Sequence, residues 1–108
     1  MGLDAGRAFQ PSPSKSTVRV DATTTTSRTA LPAFAGGQVR VTGGLGDCRL
    51  TFGDSTVTAA TPAVGNPGSM LIKAGSVEVF TVPPGTTHVA VKTDTATASI
   101  ELTPGFGL

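Results

Sequence analysis

The sequence of 108 residues contains no tryptophan and no tyrosine, and its only aromatic side chains besides one histidine are five phenylalanines. Base stacking relies on exposed rings, so this scarcity argues against nucleic acid as a partner. It also argues against a carbohydrate-binding domain, which would usually have exposed tryptophan or tyrosine rings. Eight basic and seven acidic residues give a net charge of +1, and they are scattered singly along the chain. No basic patch that could neutralise a row of phosphates is therefore expected.

Cysteine and histidine each occur once, at Cys48 and His88. A metal site requires several His, Cys or carboxylate ligands close together, so neither a metal nor another cofactor is expected. Cys48 shares one face of a predicted strand with Leu50 and Phe52, which is typical of a small buried apolar residue rather than a nucleophile. His88 is interpreted as a partly solvated strand residue, because no nucleophile lies in a recognisable sharp turn. We therefore predict a protein that is not an enzyme.

Long apolar segments are also missing. No apolar run approaches the length of about 20 residues that crosses a membrane. The N-terminus lacks the basic and apolar regions of a secretory signal peptide. The sequence therefore predicts a protein that is made in the cytoplasm, stays soluble and makes no contact with a membrane.

The sequence instead consists of short runs in which apolar or β-branched residues alternate with polar ones, separated by glycine and proline. This spacing favours strands, and no window has apolar residues at helical spacing. In the clearest run, Ala96, Ala98, Ile100 and Leu102 share one face. About eight such runs predict an all-β protein, an antiparallel two-sheet sandwich of jelly-roll or Greek-key type. The predicted strands are 17–22, 38–42, 48–52, 55–60, 68–73, 76–82, 86–92 and 96–103.

The alternation also predicts which side chains are buried. One strand is ambiguous, because Val77 and Val79 point opposite to Phe80 and Val82, so it is either buried on both sides or faces a partner. The threonine-rich tract 23–29 favours an edge strand or a loop. The predicted core residues are Val18, Val39, Val41, Leu50, Phe52, Ile72, Val89, Ile100 and Leu102.

The N-terminal residues 1–16 have no periodicity and are predicted to form an extended arm, followed by a sandwich domain over residues 17–108. Two apolar side chains of the arm would be left in water unless they contact another surface, and two prolines hold the arm extended. The arm is therefore predicted to bind a neighbouring subunit. The predicted partner-binding residues are Leu3, Phe9, Pro11 and Pro13.

Two glycine-rich or proline-rich loops connect strands. The run Gly43-Gly44-Leu45-Gly46 is interpreted as a hairpin connection and not as a phosphate-binding loop, because neither a lysine nor a helix follows it. Residues 61–68 contain Pro62 and Pro67, which favour a long connection that crosses one end of the sandwich. These two loops are the second candidates for partner contacts.

Several segments resemble the small virion structural proteins of tailed bacteriophages, which include capsid decoration, or cement, proteins. The likeness lies in Phe52-Gly53 and in residues 69–83, 87–91 and 96–107. It implies a compact β-domain with no catalytic motif that binds the outside of a filled capsid, often as a trimer. It further implies that the domain clamps neighbouring major capsid protein subunits on the virion surface. A neck or tail component of the same kind of particle is the alternative.

Overall fold

The structure is a computed structural model that describes residues 9–12, 15–31 and 37–106. The described residues form an all-β fold, and no helix that could span a membrane occurs among them. The strands are β1 Gln10–Pro11, β2 Val18–Ala22, β3 Ser27–Ala30, β4 Gln38–Gly43, β5 Cys48–Gly53, β6 Met70–Ile72, β7 Val77–Thr81, β8 His88–Lys92 and β9 Ala98–Phe106.

Two antiparallel sheets contain these strands. In sheet A the order is β2-β9-β4-β7, and β1 pairs with β9 on the same edge as β2. In sheet B the order is β3-β8-β5-β6. The pairings are nested, since β2 pairs with β9, β3 with β8, β4 with β7 and β5 with β6. The chain is therefore one long antiparallel ribbon that bends at residues 54–69 and is folded over into two layers.

The core lies between the two sheets and confirms most of the predicted inward positions. Seven of the predicted residues, those on β4, β5, β6, β8 and β9 other than Phe52, are at most 1% exposed. Val18 and Phe52 are only partly buried against this core. Val18 begins an edge strand, and Phe52 lies beyond the part of β5 that pairs with β6. Cys48 is 1% exposed, as predicted, and burial raises the pKa of its thiol.

The predicted strand over residues 55–60 is wrong. Asp54 accepts hydrogen bonds through Oδ1 from the backbone N–H (2.8 Å) and the hydroxyl (2.6 Å) of Thr56, and its carbonyl accepts one from the N–H of Val57 (3.1 Å). An aspartate that bonds the backbone two residues on replaces strand pairing with a turn. The second half of the threonine-rich tract supplies the missing strand, because Ser27–Ala30 forms β3 at the edge of sheet B.

The buried position of Leu102 generates a stability prediction. This side chain is 0% exposed and lies between Val18 and Val41 in the ladders of sheet A. Truncation in Leu102→Ala should lower the free energy of unfolding by about 2–5 kcal/mol through lost burial and a cavity. Urea denaturation followed by circular dichroism measures this. Val64→Ala, at a fully exposed site, is the control, and equal midpoints for the two variants would contradict the assigned register.

Candidate interaction surface

The outer faces of the two sheets differ in what covers them. Outward positions on sheet A are largely accessible, although Leu45 lies beside Arg19 and Glu101 and Phe9 lies beside Arg40. We call this surface the open face and define it by the exposed or half-buried outward residues Arg19, Asp21, Arg40, Val77, Val79 and Glu101. On sheet B, by contrast, the outward residue Ala90 is 0% exposed, so something covers it.

The cover on sheet B is the connection between β5 and β6, residues 57–69, which we call the strap. Near its start, the carbonyl of Val57 accepts a hydrogen bond from Arg28 (3.2 Å), and the N–H of Ala59 donates to the hydroxyl of Thr26 (2.8 Å). Near its end, Ser69 exchanges hydrogen bonds with Ala60 and contacts the hydroxyl of Thr51. The strap is therefore held to sheet B at both ends by polar contacts.

A charged cluster fixes the middle of the strap. Arg49 on β5 donates two hydrogen bonds to the carboxylate of Asp94, at 3.3 and 3.1 Å. The hydroxyl of Thr61 in the strap donates to the same carboxylate (2.6 Å) and accepts from Lys92 (3.1 Å). The hydrogen bonds from Arg49 and Thr61 lower the pKa of Asp94. The cluster's polar groups are thus occupied in holding the strap.

A cleft of about 340 Å³ lies beside this cluster, between Asp47, Leu71 and the loop after β8. The carboxylate of Asp47 already accepts hydrogen bonds from the N–H of Ala74 (2.9 Å) and from Lys73 (3.1 Å), which lower its pKa. Both carboxylates at the cleft are therefore engaged within the chain, and the cleft is better explained as a structural feature than as a ligand site.

The open face carries exposed apolar area at one end. Val77 is 51% exposed and lies opposite Thr42 in the ladder of β4 and β7. Leu45, in the loop after β4, is 80% exposed and lines two clefts of about 280 and 380 Å³, of which the second also contains Thr42 and Glu101. Val77 and Leu45 are thus two exposed apolar side chains at this end of an otherwise polar face.

The charges of the open face are balanced. Arg19 donates to Asp21 at 3.0 Å, and both side chains are about two-thirds exposed or more. Arg40 and Glu101 are also exposed, and neither forms an ion pair with another described residue. Two basic and two acidic side chains therefore share one flat surface, where exposed pairs contribute little to stability.

The predicted arm is partly described, and its last residues lie at the edge of the open face. Pro11 opposes Gly105, and the N–H of Ser12 donates to the carbonyl of Pro104 (2.8 Å). The chain advances seven residues from Pro11 to Val18, while β9 advances three from Gly105 to Leu102. The connection from β1 to β2 is therefore four residues longer than the stretch of β9 that lies opposite it.

Phe9 packs against the glycine at the end of β9. A Cβ on Gly105 would lie 2.3 Å from the carbonyl oxygen of Gln10 and 2.5 Å from Cζ of the Phe9 ring. β1 can therefore pair with β9 only because residue 105 is a glycine without a side chain. Phe9 and Pro11 contact the chain's own sheet, and Leu3 and Pro13 lie outside the described residues. Binding of these four residues to a neighbouring subunit stays a prediction, as does the division at residues 16 and 17.

The histidine and the cysteine are not brought together. Nδ1 of His88 lies 2.8 Å from the hydroxyl of Thr87 on the partly accessible end of β8, whereas Cys48 lies in the core. Within the described part of the chain, no three His, Cys, Asp or Glu side chains are close enough to hold a metal ion. The sequence pattern leaves β7 ambiguous between burial on both sides and contact with a partner, and Val77, which is 51% exposed, shows that the outward side of β7 is accessible.

Comparison of the chain with models of protein families, with curated proteins and with solved structures found no match.

The low pKa values of Asp47, Asp54 and Asp94 predict how stability depends on pH. Each lies below the ordinary value of 3.8 in the folded protein, so the folded state binds fewer protons than the unfolded state in acid. The stabilisation is complete above the unfolded pKa and is lost as pH falls through the folded pKa. Thermal midpoints should therefore be flat above about pH 5 and decline below pH 4.

Asp94→Asn should lower the thermal midpoint at neutral pH and make the decline in acid shallower, because it removes one of the three groups. Asp21→Asn, in an exposed ion pair, is the matched control and should change the midpoint little. Identical acid profiles for the Asp94 variant and the parent would show that Asp94 does not contribute to the loss of stability in acid.

The close approach at Gly105 generates a separate prediction. Gly105→Ala should displace β1 from β9, because the new methyl group would meet the backbone of Gln10 rather than a flexible side chain. Hydrogen exchange of the Ser12 N–H should accelerate to the rate of an open amide, while core amides stay protected. Gly85→Ala, which has open space at its Cβ position but a φ of 82°, strains the backbone before β8 without a clash. It is the control for general destabilisation and should not accelerate exchange of Ser12 selectively.

Proposed function

We propose that the chain is a non-enzymatic structural protein of a phage virion, which binds the outer capsid surface and clamps neighbouring major capsid protein subunits. The observation that carries the proposal is the nested strand order, β2-β9-β4-β7 in one sheet and β3-β8-β5-β6 in the other. This order supports a jelly roll, the architecture that viral capsid domains share with lectins and cupins. The resemblance of residues 38–108 to decoration proteins points to the same setting.

The polar chemistry of the domain supports binding rather than turnover. Asp47 and Asp94 are engaged by neighbouring donors, and the Cys48 thiol is buried with a raised pKa. A nucleophile or an acid catalyst needs access to substrate and a pKa near the working pH. Cys48 lacks the access, and Asp47 and Asp94, although exposed, have pKa values lowered below the ordinary value. The accessible chemistry is instead the mixed apolar and charged surface of the open face.

The arm supplies a second means of attachment in this proposal. Residues 1–8 are joined to the sandwich through Phe9, at the end of sheet A. Leu3 and the residues around it can add contact area that a small domain lacks, in the way that extended segments bind along protein surfaces. Repetition of weak contacts over a shell then gives strong overall attachment through multivalency.

Two alternative functions are supported by some of the same observations. A neck or tail component has the same virion setting but would occupy one vertex rather than the whole shell. A carbohydrate-binding domain shares the jelly-roll architecture, but the sequence has no tryptophan or tyrosine with which to stack on sugar rings. The number of copies per particle separates the first two functions, and glycan binding tests the third.

The experiment that tests the proposal is quantitative mass spectrometry and electron microscopy of purified particles from the genome that encodes the chain. A decoration protein should be present at a copy number comparable with that of the major capsid protein, with density distributed over the outer surface. A small fixed number at one vertex would favour the neck or tail alternative. Absence from the particle, with binding to a glycan array, would overturn the virion role.

Deletion of residues 2–8 tests the arm. It removes Leu3 but leaves Phe9 and β1, which belong to sheet A, so the thermal midpoint of the isolated domain should not change. Occupancy on particles should fall at equal protein concentration, because each buried Leu-sized side chain contributes roughly 1.5–3 kcal/mol before the cost of ordering. Equal occupancy of truncated and full-length protein would reassign attachment to the loops at residues 43–46 and 61–68.

A further inference from the structure

We propose that the open face is a homodimer interface, in which a second copy of the chain packs its own open face against the first. The inference rests on the surface of sheet A and not on the virion role, so either can fail without the other. Its starting point is the asymmetry of the sandwich, since the strap covers the outer face of sheet B. On sheet A, Phe9 and Pro11 lie beside Arg40 at one end and Leu45 lies beside Arg19 and Glu101 at the other, and the charged outward side chains remain exposed.

The charges of the open face are suited to a copy of itself. In a two-fold interface the same patch meets itself, so the patch must carry both signs of charge to be complementary. The open face has two exposed basic residues, Arg19 and Arg40, and two exposed acidic residues, Asp21 and Glu101. A partner of one dominant sign would be attracted by only half of these groups and repelled by the rest.

The apolar residues of the same face favour contact over solvation. Val77 is 51% exposed and Leu45, at the end of the face, is 80% exposed. Val79, half-buried on the outward side of β7, extends this area along the strand. These side chains lie beside the charged residues, and an apolar patch within a polar, charge-balanced surround is the usual anatomy of an interface.

The size of the face sets the expected strength of the dimer. Four strands about 4.8 Å apart and five residues of about 3.3 Å each give a surface of roughly 19 by 17 Å. This is less than half of the roughly 800 Å² that each partner buries in a standard stable interface, although Leu45 and Pro11 extend it at the ends. We therefore expect a weak dimer, with a dissociation constant in the range of about 10 μM to 1 mM.

The test uses two variants whose open faces each carry charge of a single sign. The acidic variant contains Arg19→Glu and Arg40→Glu, and the basic variant contains Asp21→Lys and Glu101→Lys. Sedimentation velocity over a series of concentrations measures self-association of the full-length parent, of each variant and of an equimolar mixture. Thr24→Glu, Thr58→Glu, Val64→Glu and Thr95→Glu combined in one chain change the net charge by the same amount as the acidic variant, at exposed sites off the open face, and this variant is the control. Thermal midpoints verify that every variant is folded.

The parent and the control should dimerise, each single-sign variant should associate at least about tenfold more weakly, and the mixture should recover association as a heterodimer. A parent that stays monomeric up to 1 mM, variants that dimerise as the parent does, or a mixture that stays monomeric would each overturn the proposal. A trimer would overturn it as well. Dimerisation that appears only after deletion of residues 2–8 would show that the N-terminal residues of the same chain cover the face instead.

Discussion

The pairing of β9 on both of its edges is the interaction on which the remaining structure depends. β9 is hydrogen bonded to β1 and β2 on one side and to β4 on the other, and its inward residues Ile100 and Leu102 lie at the centre of the core. Because its partners come from the first half of the chain, the pairing of β9 brings the first and second halves of the ribbon together. The remaining pairs of the nested order are β3 with β8, β4 with β7 and β5 with β6.

The strap lies at the bend of the folded ribbon, and polar contacts hold it in position. The bidentate pair of Arg49 with Asp94 and the hydrogen bond from Thr61 hold the strap over sheet B, where Ala90 is small enough to lie beneath it. Sheet A receives no equivalent cover from the described residues. The two sides of one sandwich thus differ in chemistry: the polar groups around the strap are satisfied internally, whereas the open face presents charges and valines outward.

This division of roles is consistent with a protein that works by contact. The rigid sandwich positions a flat, charge-balanced surface, and the N-terminal residues are attached at the end of the same sheet. Weak interfaces of this kind have little effect for a single molecule and a large effect in a repeating array, where each copy is held by several neighbours. The capsid role and the dimer are separate proposals, but both use the asymmetry between the covered and the open face.

The sequence by itself determined the fold class, most strands and most of the core, because alternation along a strand is a local property that a period of two reports directly. It also indicated that β7 is either buried on both sides or faces a partner. Tertiary structure alone decided which strands pair, which outer face is covered and where Phe9 lies, since these depend on contacts between residues far apart in the chain. Residues 55–60 show the limit most clearly. Their alternation suits a strand, but their backbone is satisfied in another way, by the turn at Asp54, by the distant donor Arg28 and by the distant acceptor Thr26.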